Sequence, residues 1–101
     1  ASLSSMYQIP LSTLIYTLAM LDCKPSNSWI QAWMARSEIS SFDEHGLSNA
    51  IYALARLEIQ PTNLFMKNWY LCFLKNAQFT SAQSLANTLW ALGKLTVDAD
   101  P

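Results

Sequence analysis

The chain has 101 residues, half of them hydrophobic and 13% charged, with a net charge of −1. That balance excludes a disordered tail and supplies a core for one domain, while the acidic sign counts against a strong phosphate-binding surface over the whole fragment. The longest apolar stretches, such as 69–74, fall far short of the ~20 residues a bilayer span needs, and no basic flank followed by an apolar run reads as a signal peptide. The absence of an initiator Met and the ending at Pro101 read as a piece of something longer.

Pro10 and the spacing of Leu11, Leu14, Ile15 and Leu18 predict a first helix over 10–22, with apolar residues at i, i+3, i+4 and i+7 and Pro in the first turn. It stops before Pro25, which biases Lys24 away from the helical region. Ser26 then caps a second helix over 26–39, whose apolar stripe is Trp29, Ile30, Trp33 and Met34. Ser40 and Ser41 read as a linker. Asp43 is the expected N-cap of a third helix over 43–58, with Phe42 stapled onto Leu47 and Asp43 and Glu44 at the positive end of the helix dipole. Thr62 caps a fourth helix over 62–77, striped by Phe65, Met66, Trp69, Tyr70 and Phe73. Phe79 as a staple, with a capping box from Thr80 to Gln83, opens a fifth over 80–95.

These helices repeat. Leu47-Ser-Asn-Ala-Ile-Tyr-Ala-Leu-Ala-Arg-Leu57 recurs 38 residues later as Leu85-Ala-Asn-Thr-Leu-Trp-Ala-Leu-Gly-Lys-Leu95, and it is anticipated 36 residues earlier by Leu11-Ser-Thr-Leu-Ile-Tyr-Thr-Leu-Ala-Met-Leu21. Pro25 and Pro61, and Trp33 and Trp69, follow the 36-residue step. A period of this size predicts an all-α chain, an α-solenoid of stacked antiparallel helical hairpins. The expected units are 6–41, 42–78 and an incomplete 79–101, making one array that is a fragment of a longer one.

On a helical wheel the leucines of each first helix gather on one side. The other side carries three rows: Thr13, Asn49, Asn87; Tyr16, Tyr52, Trp90; and Met20, Arg56, Lys94. An amide, an aromatic ring and a cation at helical spacing suit single-stranded RNA: the ring stacks a base, the amide reads a base edge and the cation meets phosphate. A bland reading stands beside it, in which the rings are inter-repeat core, the amides bond backbone and the cations merely complement helix C-termini. Trp29, Trp33 and Trp69 are assigned to the core. Cys23 and Cys72 have no metal-ligand spacing and read as small buried residues. His45 reads as solvated or capping. With no phosphate loop, metal-ligand pair or catalytic partner for His45, the expectation is a protein that is not an enzyme and holds no cofactor or metal.

Leu85 to Leu95, with Pro25-Ser-Asn-Ser-Trp29 and with Phe42 or Phe79 ahead of the following copy, resembles the octotricopeptide repeat family. Its repeat is close to 38 residues and carries a core near "LANTLWALAKL". The resemblance spans essentially the whole chain and is weakest in the first copy, where Met20 stands for the basic residue and Met6 for the Phe. It implies an RNA-binding α-solenoid of a mitochondrion or chloroplast, acting in organellar RNA metabolism or translation. The implied partners are single-stranded or ribosomal RNA and ribosomal or other ribonucleoprotein subunits, with no membrane and no small-molecule substrate. A structural subunit of a large ribonucleoprotein, such as a mitochondrial ribosome, is the alternative it carries.

Overall fold

The computed structural model describes residues 10–98, with side chains described through residue 97; Met6 lies outside them. The described chain is all-helical: α1 (Leu11–Met20), α2 (Asn27–Arg36), α3 (Glu44–Arg56), α4 (Asn63–Asn76) and α5 (Ala82–Asp98), with short 3-10 turns at Ile39–Ser41 and Ala77–Phe79. No strand occurs among the described residues.

The caps follow the repeat. The Ser26 hydroxyl accepts from the Trp29 amide at 3.3 Å, and 36 residues on Thr62 accepts from Phe65 at 3.2 Å. Asp43 accepts from the Gly46 amide at 2.7 Å, as expected of a short side chain that satisfies an orphan donor. At the start of α5 the expectation fails by one residue. Ser81 is the cap, its hydroxyl accepting from the Ser84 amide at 3.1 Å, whereas the Thr80 hydroxyl donates to the Asn76 carbonyl. The 3-10 turn over Ala77–Phe79 takes up the preceding residues and shifts the helix start, and Phe79 is left 63% exposed. Helix α2 ends at Arg36, three residues early, where Ser37 is extended, and the 3-10 turn that follows over Ile39–Ser41 buries Ile39. At its C-terminus α5 instead runs on to Asp98.

Helices α1 and α3 end in the same left-handed residue. Asp22 has φ 53° and Glu58 φ 59°. In each case the next amide reaches back to the helix, Cys23 to the Leu18 carbonyl at 2.9 Å and Ile59 to Leu54 at 2.8 Å. This is the Schellman closure, made here without the usual glycine.

Helix α3 occupies the centre, packed against α1 on one side and α5 on the other. The two contacts use the same register. A Cβ added at Gly46 would lie 3.2 Å from Ser12 Oγ, so α3 approaches α1 closely there. The equivalent pair in the next step is Ser48 and Ser84, where the Ser48 hydroxyl donates to the Ser84 carbonyl at 3.0 Å. Because early residues meet early residues and late meet late, the three helices run parallel. Leu47, Ala50, Ile51, Ala53, Leu54 and Ala55 of α3 are wholly buried. Alanines on this face let the helix axes come together, which bulkier side chains would forbid. Buried Thr88 donates to Ser48 Oγ at 3.1 Å, so the polar groups inside the α3–α5 contact satisfy one another.

Trp33 and Trp69 are buried, as the repeat requires. The Trp33 indole N–H donates to the Leu11 carbonyl at 2.9 Å, and its ring lies 5.5 Å from that of Phe65. Trp69 stacks on Phe73 at 4.9 Å between ring centroids. Trp29 is only half-buried, packed against this core, and Tyr70 is exposed. Leu21, placed with the apolar face of α1, is 69% exposed because it lies past the helix end on the side away from α3. Cys23 is exposed rather than buried and Cys72 is half-buried.

Candidate nucleic-acid interface

The nine residues of the three rows come from α1, α3 and α5, and the parallel packing of these helices keeps them in rows. The Tyr16 and Tyr52 ring centroids are 6.3 Å apart, and those of Tyr52 and Trp90 are 5.4 Å apart, tilted by 39° and 47°. Three rings from three helices therefore touch in a continuous line, within the 4.5–7 Å typical of aromatic pairs. Neither bland core nor free platform describes them. Tyr16 and Tyr52 are half-buried against their neighbours, while Trp90 at the end of the line is 48% exposed.

The spacing limits what the row can hold. A base sandwiched between two parallel rings needs them about 7 Å apart, twice the ~3.4 Å stacking rise. Both gaps are smaller and the rings are tilted. A base can therefore lie along the open side of the row, or on the free part of Trp90, but not between neighbouring rings.

The cationic row is anchored to the aromatic one. Arg56 is exposed, and its Nη1 donates to the Tyr52 hydroxyl at 3.2 Å. That hydrogen bond raises the guanidinium pKa above its ordinary value. Lys94 Nζ approaches Glu58 Oε2 at 3.5 Å, an exposed pair of a kind worth little in water. Glu58 was not legible as the partner of Lys94: the 38-residue step aligns Lys94 with Arg56 and Glu58 with Thr96, and only the packing of α3 on α5 brings the two charges together. Met20, in the first copy, is 39% exposed and brings no charge.

In the amide row Thr13 is exposed, and Asn49 and Asn87 are half-buried. The backbone carbonyl of Thr13 accepts from the Thr17 hydroxyl at 2.9 Å. An open cavity of about 850 Å³ lies at the N-terminal ends of α1 and α3, and Thr13 and Asn49 line it with Arg36, Asp43 and His45. His45 is exposed, with Nε2 3.7 Å from Glu44 Oε1. Among the described residues no three His, Cys, Asp or Glu side chains gather as a metal site, and no helix is long and apolar enough to cross a membrane.

Comparison with protein-family models, with curated proteins and with solved structures finds no match to this chain.

Proposed function

We propose that this chain is a helical-repeat RNA-binding module, part of an α-solenoid of stacked antiparallel hairpins, that acts in organellar RNA metabolism or translation and is not an enzyme. The observation that carries this reading is the line of Tyr16, Tyr52 and Trp90, held ring to ring across three helices and bordered by Arg56 and Lys94. Aromatic surface beside a cation is the chemistry by which single strands are held without base pairing. In this reading Trp90 carries a stacked base and Arg56 meets a phosphate. Thr13, Asn49 and Asn87 offer hydrogen bonds to base edges, and Lys94 exchanges its contact with Glu58 for the backbone of the strand.

A second reading has its own support. Leu64, Leu71 and Leu74 lie exposed along α4, and the chain's net charge is −1. An apolar helix face on a nearly neutral protein suits a structural subunit that packs on ribosomal or other ribonucleoprotein components.

The test is a titration of the protein with short single-stranded RNA, comparing wild type with Trp90→Ala and following folding by circular dichroism. Loss of one stacking ring should weaken binding by about 1–3 kcal/mol, roughly 5- to 150-fold. Unchanged affinity in a well-folded Trp90→Ala variant removes the row as the binding surface. No binding by wild type, with retention on ribonucleoprotein components through α4, selects the second reading.

A further inference from the structure

Helix α4 carries an outward stripe that the repeat does not explain. Leu64, Leu71 and Leu74 are 69%, 54% and 68% exposed. With exposed Lys67 and Lys75 they follow helical spacing and lie along one side of α4. That side is turned away from Phe65 and Trp69, which are buried against the rest of the fold.

This exposure does not arise from where the chain stops. On α2, 36 residues earlier, the places of Leu64, Lys67, Leu71 and Leu74 are held by Ser28, Gln31, Ala35 and Glu38. Helix α2 has its following neighbour in place, since the rings of Trp33 and Phe65 on α4 lie 5.5 Å apart. All four of its residues are nevertheless exposed. A further hairpin stacked on α4 in the same way therefore leaves the leucine stripe open. It covers Tyr70 instead, whose equivalent Met34 is half-buried beside α4. On the preceding side α2 is already present, and Leu64 stays exposed at a groove of about 320 Å³ that Met34, Ala35, Ile39 and Phe65 also line. Polar or small residues suffice for the fold at these places on α2, so packing within the array does not require the leucines of α4.

Charge identifies the occupant. Neither α2 nor α4 contains a carboxylate, and their charged residues are Arg36, Lys67 and Lys75. No carboxylate among the described residues pairs with Lys67 or Lys75. Glu38, close in sequence to the groove, lines the cavity at the ends of α1 and α3 instead. Leucines two turns apart beside unpaired lysines match the apolar face and flanking carboxylates of an acidic amphipathic helix. A second copy is a poorer match, because pairing α4 with α4 brings lysines together and offers no carboxylate.

We infer that the outward side of α4, with its groove towards α2, docks an acidic amphipathic helix of a protein partner. The leucines and the groove take its apolar face, and Lys67 and Lys75 meet its carboxylates. The inference rests on the packing role given to α4 in the second reading above and names the chemistry of the partner. It leaves the aromatic row of α1, α3 and α5 open.

The test is fluorescence anisotropy of the purified chain with two labelled synthetic helical peptides. Both carry one stripe of leucines at helical spacing; the flanking positions are glutamate in one and lysine in the other. The glutamate peptide should bind saturably and more tightly as salt falls, and the lysine peptide should not bind. Leu71→Ser should weaken binding about tenfold, as expected for one leucine left in water. Lys67→Gln should weaken it less and flatten the salt dependence. Both positions are exposed, and circular dichroism checks that the variants fold. If the glutamate peptide does not bind wild type, the inference is overturned, and retention of ribonucleoprotein components through α4 then decides the second reading separately. Equal binding of the two peptides overturns the charge match. Binding unchanged in both variants also overturns the inference, since the peptide then sits elsewhere. Anionic phospholipid vesicles that bind wild type but not Leu71→Ser overturn it in favour of a membrane surface.

Discussion

The Trp69 indole N–H donates to the main-chain carbonyl of Leu47 at 2.9 Å, and the bond from Trp33 to Leu11 copies it 36 residues earlier at the same length. Each ties a second helix to the start of the helix before it, satisfying a buried donor that would otherwise be costly. Trp69 is completely buried. Trp69→Ala should therefore cost about 3–5 kcal/mol through the cavity it leaves. Trp69→Phe keeps much of the ring and loses the donor, and should cost less. Urea denaturation followed by circular dichroism measures both.

The left-handed Glu58 at the end of α3 pays a steric penalty that glycine does not. Glu58→Gly should raise stability by about 0.5–1 kcal/mol, the relief of the Cβ clash exceeding the extra freedom of the unfolded chain. The exposed contact with Lys94 is too weak to reverse the sign. Thermal unfolding should show a midpoint several degrees higher.

Ser48 and Thr88 act as a unit. Ser48→Ala leaves the buried Thr88 hydroxyl without its acceptor, and should cost about 1–3 kcal/mol. In a Thr88→Val background the same substitution orphans no side chain and should cost less. A double-mutant cycle on chemical denaturation measures the difference, which should exceed about 0.5 kcal/mol.

At the start of α5, Ser81→Ala should destabilise by about 0.5–2 kcal/mol, the usual loss for an N-cap. Thr80→Val should change stability much less, since the Thr80 hydroxyl makes only a 3.4 Å bond to the Asn76 carbonyl. Denaturation midpoints of the two variants should separate accordingly.

If RNA binds along the aromatic row, Arg56→Gln should weaken it for every RNA sequence and reduce the slope of log affinity against log salt by about 0.7, one phosphate contact on a single strand. Trp90→Ala should weaken binding while leaving that slope unchanged. Titrations at several salt concentrations separate the two effects.

Helix locations, the Ser26, Asp43 and Thr62 caps and the matched Trp33 and Trp69 were legible in the sequence because each depends on local chemistry. An apolar period, a proline or a hydroxyl before a helix acts within a few residues and repeats with the chain. The left-handed ends at Asp22 and Glu58 were hidden because their usual marker, glycine, is missing. Ser81 was hidden as the cap of α5 because Thr80 and Gln83 fit a capping box; the 3-10 turn over Ala77–Phe79 decided between Thr80 and Ser81. The rows of the candidate interface were legible as rows, but not their contacts. Whether Tyr16, Tyr52 and Trp90 touch depends on the distance between helix axes, which the small residues Gly46, Ala53 and Ala91 set from the far side of each helix. Burial was the least legible of all. Leu47 and Leu85 occupy the same place in the same motif, yet Leu47 is sealed and Leu85 is exposed. The motif determines which way such a side chain points, and only the presence of a neighbouring helix determines whether water reaches it.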